Sequence, residues 1–249
     1  MTNRSYTLSI AGFDPSGGAG LLADIKTMEC LGVYGLGVCT ANTFQVDNRF
    51  EGVRWTRPGD ILFQLEMILE RYDIKYAKIG LIESAGVLLK VLQVLRENNI
   101  SVIWDPVLTA SAGFQFHDGF EKGVLSQILE SAFLITPNLD EAQVLFGGVT
   151  KPSFSNWNVL LKGGHSTGTS VEDVLFMYGN EPKKFISDRL NGTKHGTGCV
   201  LSSAIAAYLT LGYRIAEAVE NSRQYVHGLI QSNSSLLGYH NLNPIAQNA

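Results

Sequence analysis

The chain has 249 residues, 45% hydrophobic and 17% charged, a balance that suits a globular fold with a full core. A formal net charge of −4 leaves no polyanion footprint, so nucleic acid is not an expected partner, and no apolar run approaches the roughly 20 residues of a membrane span. The three cysteines, Cys30, Cys39 and Cys199, are scattered and lack metal-ligand spacing, and the polar start Met1 to Tyr6 lacks a signal pattern, so a cytoplasmic protein is expected.

In chain order, short apolar runs predict buried strands at Leu8–Ala11, Gly37–Ala41, Ile74–Ile79, Ile100–Trp104, Ala132–Ile135 and Val159–Leu161. Helical periodicity falls at Leu21–Leu31, Asp60–Tyr72, Ala85–Asn98, Phe120–Glu130, Leu139–Phe146, Leu201–Leu211 and Ala216–Leu236. Val171–Tyr178 and Lys183–Leu190, with the turn signal Gly179-Asn180 between them, predict a late hairpin. Strands alternating with helices imply an α/β fold, with a mainly parallel sheet and helices on both faces. No linker, repeat or low-complexity segment divides the chain, so one domain over residues 1–249 is expected.

Ligands of such sheets gather beyond the carboxyl ends of the strands. Polar and glycine residues recur there: Gly12 to Asp14, Asn42 to Gln45, Gly80, Asp105, Thr136 to Asn138, and Lys162 to Gly164. Asp14 to Gly20 is a glycine-rich turn that is neither a dinucleotide fingerprint nor a P-loop, since no Lys-Ser/Thr pair follows its last glycine. Asp24, early in the following helix, either favours the helix dipole or accepts hydrogen bonds from a ligand amine or hydroxyl. The Gln45 amide can both donate to and accept from a heterocycle edge. Asp105, straight after a buried strand, needs a cation or donors, and a hydrated Mg²⁺ would satisfy it. Asn138 and Glu141 match a capping box and also offer hard oxygen ligands. Lys162, at a strand end beside two glycines, is placed to neutralise phosphate, whereas His165 reads as a surface residue. His195-Gly196-Thr197-Gly198-Cys199 opens a helix, so its backbone amides form an anion site. The same helix field is expected to acidify the Cys199 thiol.

These stretches resemble the ribokinase-like small-molecule kinases, and closely the hydroxymethylpyrimidine/phosphomethylpyrimidine kinases. The matching runs are Ser9 to Gly20 with Ala23 to Thr27, Lys78 to Gly80, Asp105 to Val107, Thr136 to Leu139 with Glu141-Ala142, Lys162 to His165, and His195 to Cys199. The resemblance implies a three-layer α/β/α fold, a homodimer, and ATP-dependent phosphorylation of a pyrimidine hydroxymethyl group and then of its monophosphate. It implies Gly12, Asp24, Gln45 and Val107 at the pyrimidine, with Leu81 where the family usually has Met. Asp105, Asn138 and Glu141 would organise Mg²⁺ and phosphates, with Asp105 and Glu141 as metal ligands partly through water. Lys162 would hold ATP phosphates, Lys194 to Gly198 would form the anion hole with Gly196, Thr197 and Gly198, and Cys199 would accept the proton. A monovalent cation is a further candidate cofactor. Two features depart from the wider pattern: Cys199 stands where the superfamily commonly has Asp, and Gly147 to Asn158 is short. A pyridoxal or pyridoxine kinase and a catalytically silent metabolite-binding protein are the alternatives.

Overall fold

The computed structural model describes residues 4–109, 113–117, 119–147, 157–164 and 168–241. The short segment between Gly147 and Asn158, and His165, lie largely or wholly outside the described residues. Strand β1 (Tyr6–Phe13) is buried at every interior position, as a strand must be when both faces of its sheet are covered. β2 (Tyr34–Val46) pairs parallel with it on one side and β4 (Ile74–Ile79) pairs parallel on the other. β5 (Ser101–Trp104), β6 (Leu134–Ile135) and β7 (Val159–Leu161) extend the parallel ladder beyond β4. Antiparallel β3 (Arg49–Trp55) closes the edge beside β2, and β8 (Ser170–Phe176) and β9 (Lys183–Asp188) close the other. The order is β3-β2-β1-β4-β5-β6-β7-β8-β9.

Helices cover both faces, because the buried strands alternate large apolar residues to each side. Val102 and Trp104 of β5 join one core with α2 (Pro58–Arg71), α3 (Ala85–Glu97) and α4 (Lys122–Ser131). Ile103 joins the other, with α1 (Gly20–Cys30), α6 (Thr197–Thr210) and α7 (Ile215–Gln231). α3 shows why such a helix forms: Ser84 caps it by accepting from the Val87 N–H, and Val87, Leu88, Val91, Leu92 and Leu95 make one buried stripe. α6 is instead buried continuously from Val200 to Leu209. Its small residues, Ser202, Ser203, Ala204, Ala206 and Ala207, let it lie close against the sheet and α7.

The predicted strands and the late hairpin are present, and the α/β class holds. Two boundaries differ most. β2 runs on to Val46 and turns through Asp47-Asn48 into β3, a pairing not foreseen. α7 stops at Gln231 rather than Leu236, since the Asn233 side chain accepts from the Ser235 N–H at 2.8 Å and offers the backbone a turn instead of a helix.

Candidate active site

The chain leaves β1 for β2 on one side and reaches β4 on the other, so a crevice forms at the carboxyl edge where the strand order reverses. A cavity of about 1210 Å³ opens there, lined among others by Gly12, Gln45, Lys78, Asp105, Lys162 and Cys199. That exceeds the roughly 300–1,000 Å³ of an ordinary ligand cleft, leaving room for two reactants side by side.

Its floor is a charged network. Lys162, just past β7, places Nζ 2.8 Å from Asp105 Oδ1, just past β5. Thr136 donates to the same oxygen at 3.0 Å, and Ser202 of α6 donates to Oδ2 at 3.1 Å. Burial disfavours both charges, but each stabilises the other: Asp105 is held below the usual carboxylate range, chiefly by Lys162 and then Lys78, and Lys162 is held above its ordinary value by Asp105 and then Glu141.

Glu141 lies in α5 (Leu139–Phe146), beside this pair. It accepts from the Asn138 N–H at 2.8 Å, while Asn138 Oδ1 accepts from the Glu141 N–H at 2.8 Å, completing the expected capping box. Burial pushes the Glu141 carboxyl up to about 7 against the pull of Lys162, and the neighbouring Asp105 charge adds to the rise. Its native value therefore lies above the unfolded value of about 4.5, so the stability it lends is full below that pH and is lost as pH rises through 7. Glu141→Gln keeps the capping geometry and removes the titration. Urea unfolding should show the variant gaining on the wild type by about 3 kcal/mol between pH 4 and pH 8. Parallel stability curves would refute the buried-carboxyl account.

A second buried pair sits deeper. Lys78, in an otherwise apolar β4, places Nζ 2.7 Å from Asp24 Oδ2, and Ser9 donates to that oxygen at 2.6 Å. Burial alone would lower the Lys78 ammonium, but Asp24 and then the neighbouring Cys199 and Asp105 hold it above its ordinary value. Lys78 reaches the cavity wall, whereas Asp24 does not.

Above these pairs, α6 begins at Gly196, whose φ of 77° suits glycine, and a Cβ there would lie 2.1 Å from the Gly18 carbonyl oxygen. No side chain caps this helix. Its first turn lies against the floor: a Cβ on Gly198 would sit 3.4 Å from Lys162 Nζ. Cys199 follows in the same turn, and both it and Gly20 line the cavity. Unscreened amides, an ammonium and a sulfur thus converge on one small volume, the arrangement that stabilises a transferring anionic group.

The sequence profile of the phosphomethylpyrimidine kinase family matches residues 14–245. This chain belongs to that family. The hydroxymethylpyrimidine/phosphomethylpyrimidine kinase of Aquifex aeolicus is 33% identical, over 92% of this chain and 95% of its own length. The bifunctional thiamine biosynthesis protein ThiED of Geobacter sulfurreducens is 34% identical over 92% of this chain, which spans only 49% of that longer relative. Among solved structures, phosphomethylpyrimidine kinase from Clostridium difficile superposes with a TM-score of 0.73 at 31% identity, covering 90% of this chain and 98% of its own. Pyridoxal kinase from Staphylococcus aureus, in complex with AMP-PCP and pyridoxal, gives 0.80 at 25% identity, covering 93% and 89%. The fold is therefore ribokinase-like, in a family of phosphotransferases.

As a member of this kinase family, the chain places most of its expected site residues at one crevice. Gly12, Gln45, Val107, Asp105, Asn138, Glu141, Lys162, Lys194 and Gly196 to Cys199 all line it. Four expectations need correction. Asp24 is fully buried on Lys78 and Ser9, so it acts from beneath the wall rather than on it. The Lys194 ammonium is engaged by the C-terminal segment, donating to the Asn233 carbonyl at 2.6 Å, to Asn233 Oδ1 at 3.2 Å and to the Ser235 carbonyl at 2.5 Å. Gln45 lies within β2, not beyond it, and its amide donates to Thr43 Oγ1 at 2.8 Å. The Cys199 thiol is not acidified: burial pushes it up to about 11 against the pull of Lys78, and the Asp24 and Asp105 charges add to the rise. Two side chains of consequence carried no assigned role in the sequence reading, those of Lys78 and His195. A lysine inside the apolar run of β4 was the available signal, since such a charge requires a buried partner.

Proposed function

We propose that this chain is one domain, residues 1–249, that transfers the γ-phosphoryl group of ATP to 4-amino-5-hydroxymethyl-2-methylpyrimidine. It then phosphorylates the monophosphate to the diphosphate, in thiamine biosynthesis. The observation that carries the reading is the convergence of the Lys162–Asp105 pair, the uncapped α6 N-terminus and Cys199 on one crevice large enough for two reactants. Phosphoryl transfer asks for in-line positioning and charge neutralisation more than for covalent chemistry. Lys162 and the amides of Thr197, Gly198 and Cys199 neutralise the transferring group. Gly12, Val107 and Gln45 hold the pyrimidine ring, and Leu81 packs beside Gly12. Cys199 accepts the hydroxyl proton late, when the attacking oxygen has become acidic. Gly196 sets the start of the helix, and Lys194 anchors the loop from outside.

Magnesium fits the donor set. Both Asp105 oxygens already accept hydrogen bonds, as does Asn138 Oδ1, so these two would reach the ion through water, while Glu141 would offer its carboxylate. One or two carboxylates plus phosphate oxygens is the usual way this ion is held. When bound, it supplies positive charge to the phosphates. A monovalent cation, a homodimer and a cytoplasmic location complete the reading. No helix among the described residues is long and apolar enough to cross a membrane.

A pyridoxal kinase is the second reading, favoured by the closeness of that backbone superposition. An ADP-release assay with the hydroxymethylpyrimidine, its monophosphate and pyridoxine as acceptors separates the two. Turnover with pyridoxine alone would overturn the proposal, and binding without turnover would favour a silent metabolite-binding protein. Gln45→Ala should raise KM for the pyrimidine about tenfold, the order expected for one lost hydrogen bond. ATP KM should not move, and an equal loss on both substrates would remove Gln45 from ring recognition.

A further inference from the structure

Two glycine loops meet at the crevice, and one buried contact joins them. Asp14 ends β1 and organises the first loop. Its carboxylate accepts from the Ser16 N–H, the Ser16 hydroxyl and the Ala19 N–H, each at 2.9 Å. The second loop, residues 194–198, sends His195 back to the same carboxylate, with Nε2 2.9 Å from Asp14 Oδ2. Both side chains are buried, at 6% and 1% exposure. His195 Nδ1 is buried without a partner, so the ring is tethered through Nε2 alone. The backbones are close as well, since a Cβ on Gly196 would lie 2.1 Å from the Gly18 carbonyl oxygen. A Cβ on Gly18 would lie 2.7 Å from the His195 ring. The far side of the second loop is tied to the C-terminal segment by the His195 N–H on the Leu236 carbonyl at 2.9 Å.

Each loop carries part of the reacting centre. The first ends at Gly20, which lines the crevice, and the second opens α6 and leads into Cys199.

We propose that Asp14 and His195 are positioning residues: their pair clamps the 14–20 loop onto the 194–198 loop and so fixes where the start of α6 holds Cys199 in the crevice. The inference rests on the reading of Cys199 as proton acceptor given above, and it assigns the clamp no contact with substrate. The charged groups that also bear on the sulfur are Lys78, Lys162, Asp24 and Asp105, from four other parts of the fold. None of them touches the clamp.

The test reads the sulfur directly. In a Cys30→Ser, Cys39→Ser background, Cys199 is alkylated with iodoacetamide across pH, and kcat and KM are measured on the same samples. His195→Ala should move the alkylation profile upward by about one pH unit, because Cys199 drifts from the Lys78 ammonium and the helix-start amides that favour its thiolate. It should lower kcat on the order of 10- to 100-fold through a misplaced centre. His195→Gln, which keeps a donor at similar reach, should recover most of the profile. Asp14→Asn keeps an acceptor for the turn, so it serves if His195→Ala unfolds, and it should shift the profile in the same direction. An unshifted profile in a folded His195→Ala or Asp14→Asn protein overturns the clamp. A shifted profile with kcat unchanged sustains the clamp and instead removes Cys199 as the base, so the two failures are distinct.

Discussion

Replacing Lys162 with alanine is expected to cost about 3–5 kcal/mol of stability and to lower kcat by about 10³-fold or more. The two losses have one origin. Asp105 is almost fully buried, and Lys162 is the cation on its Oδ1, at 2.8 Å. Removing the ammonium leaves two buried carboxylates, Asp105 and Glu141, facing each other's charge. The protein will relieve this by protonating one of them. The stability loss should therefore shrink as pH falls, and the variant should be closest to the wild type in acid. Denaturant unfolding at pH 5 and pH 8 measures that. Lys162→Ala/Asp105→Asn removes the orphaned charge and should recover most of the stability but none of the turnover. A double variant that recovers kcat would show that Lys162 serves only to neutralise Asp105. A single variant with wild-type stability at pH 8 would show that the pair contributes nothing net.

Much of the site was legible because local rules and the fold agree. A glycine pair before a continuously apolar helix can only mean an exposed helix start, and the structure puts the uncapped α6 N-terminus there. Asn138 and Glu141 were legible for the same reason, since a capping box is set by spacing alone. What failed depends on residues far apart in the chain. Lys78 meets Asp24 across 54 positions, and no pattern local to either announces the other. The expected acidity of Cys199 considered one helix field; the folded protein adds desolvation and two carboxylates, from α1 and from the end of β5, which together outweigh it. Asp14 and His195, 181 residues apart, are a third such pair. β3 is a different kind of miss. Arg49, Glu51 and Arg54 interleave with Phe50, Val53 and Trp55, an alternation that a polar turn at Asp47-Asn48 could have flagged as a hairpin. The helices of this fold follow from periodicity, whereas its buried charges follow only from tertiary contact.

Cys199→Ala should lower kcat by about 10²–10⁴-fold, the range for a lost general base, with KM for ATP and pyrimidine changed little. The pH profile makes the claim sharper. A thiol pushed up to about 11 is only about 10⁻⁴ ionised at pH 7, so it is a strong proton acceptor held in small supply. If the thiolate is the working form, kcat should rise about tenfold per unit through pH 7–9, until another step becomes limiting. Cys199→Asp, the residue common in the wider superfamily, is ionised throughout that range. It should keep measurable turnover, and its profile should be flat. A wild-type profile as flat as that of Cys199→Asp would mean the proton leaves by another route. The loose character of phosphoryl transfer explains why so reluctant a base can serve. The attacking hydroxyl becomes acidic only late, as its bond to phosphorus forms, and at that stage proton affinity counts for more than resting ionisation. Lys78 is the lever on this balance, since its ammonium lowers the sulfur's proton affinity more than any other group. Lys78→Met paired with Asp24→Asn removes both charges of the buried pair together. The double variant should displace the rise in kcat to higher pH while Cys199 itself is untouched.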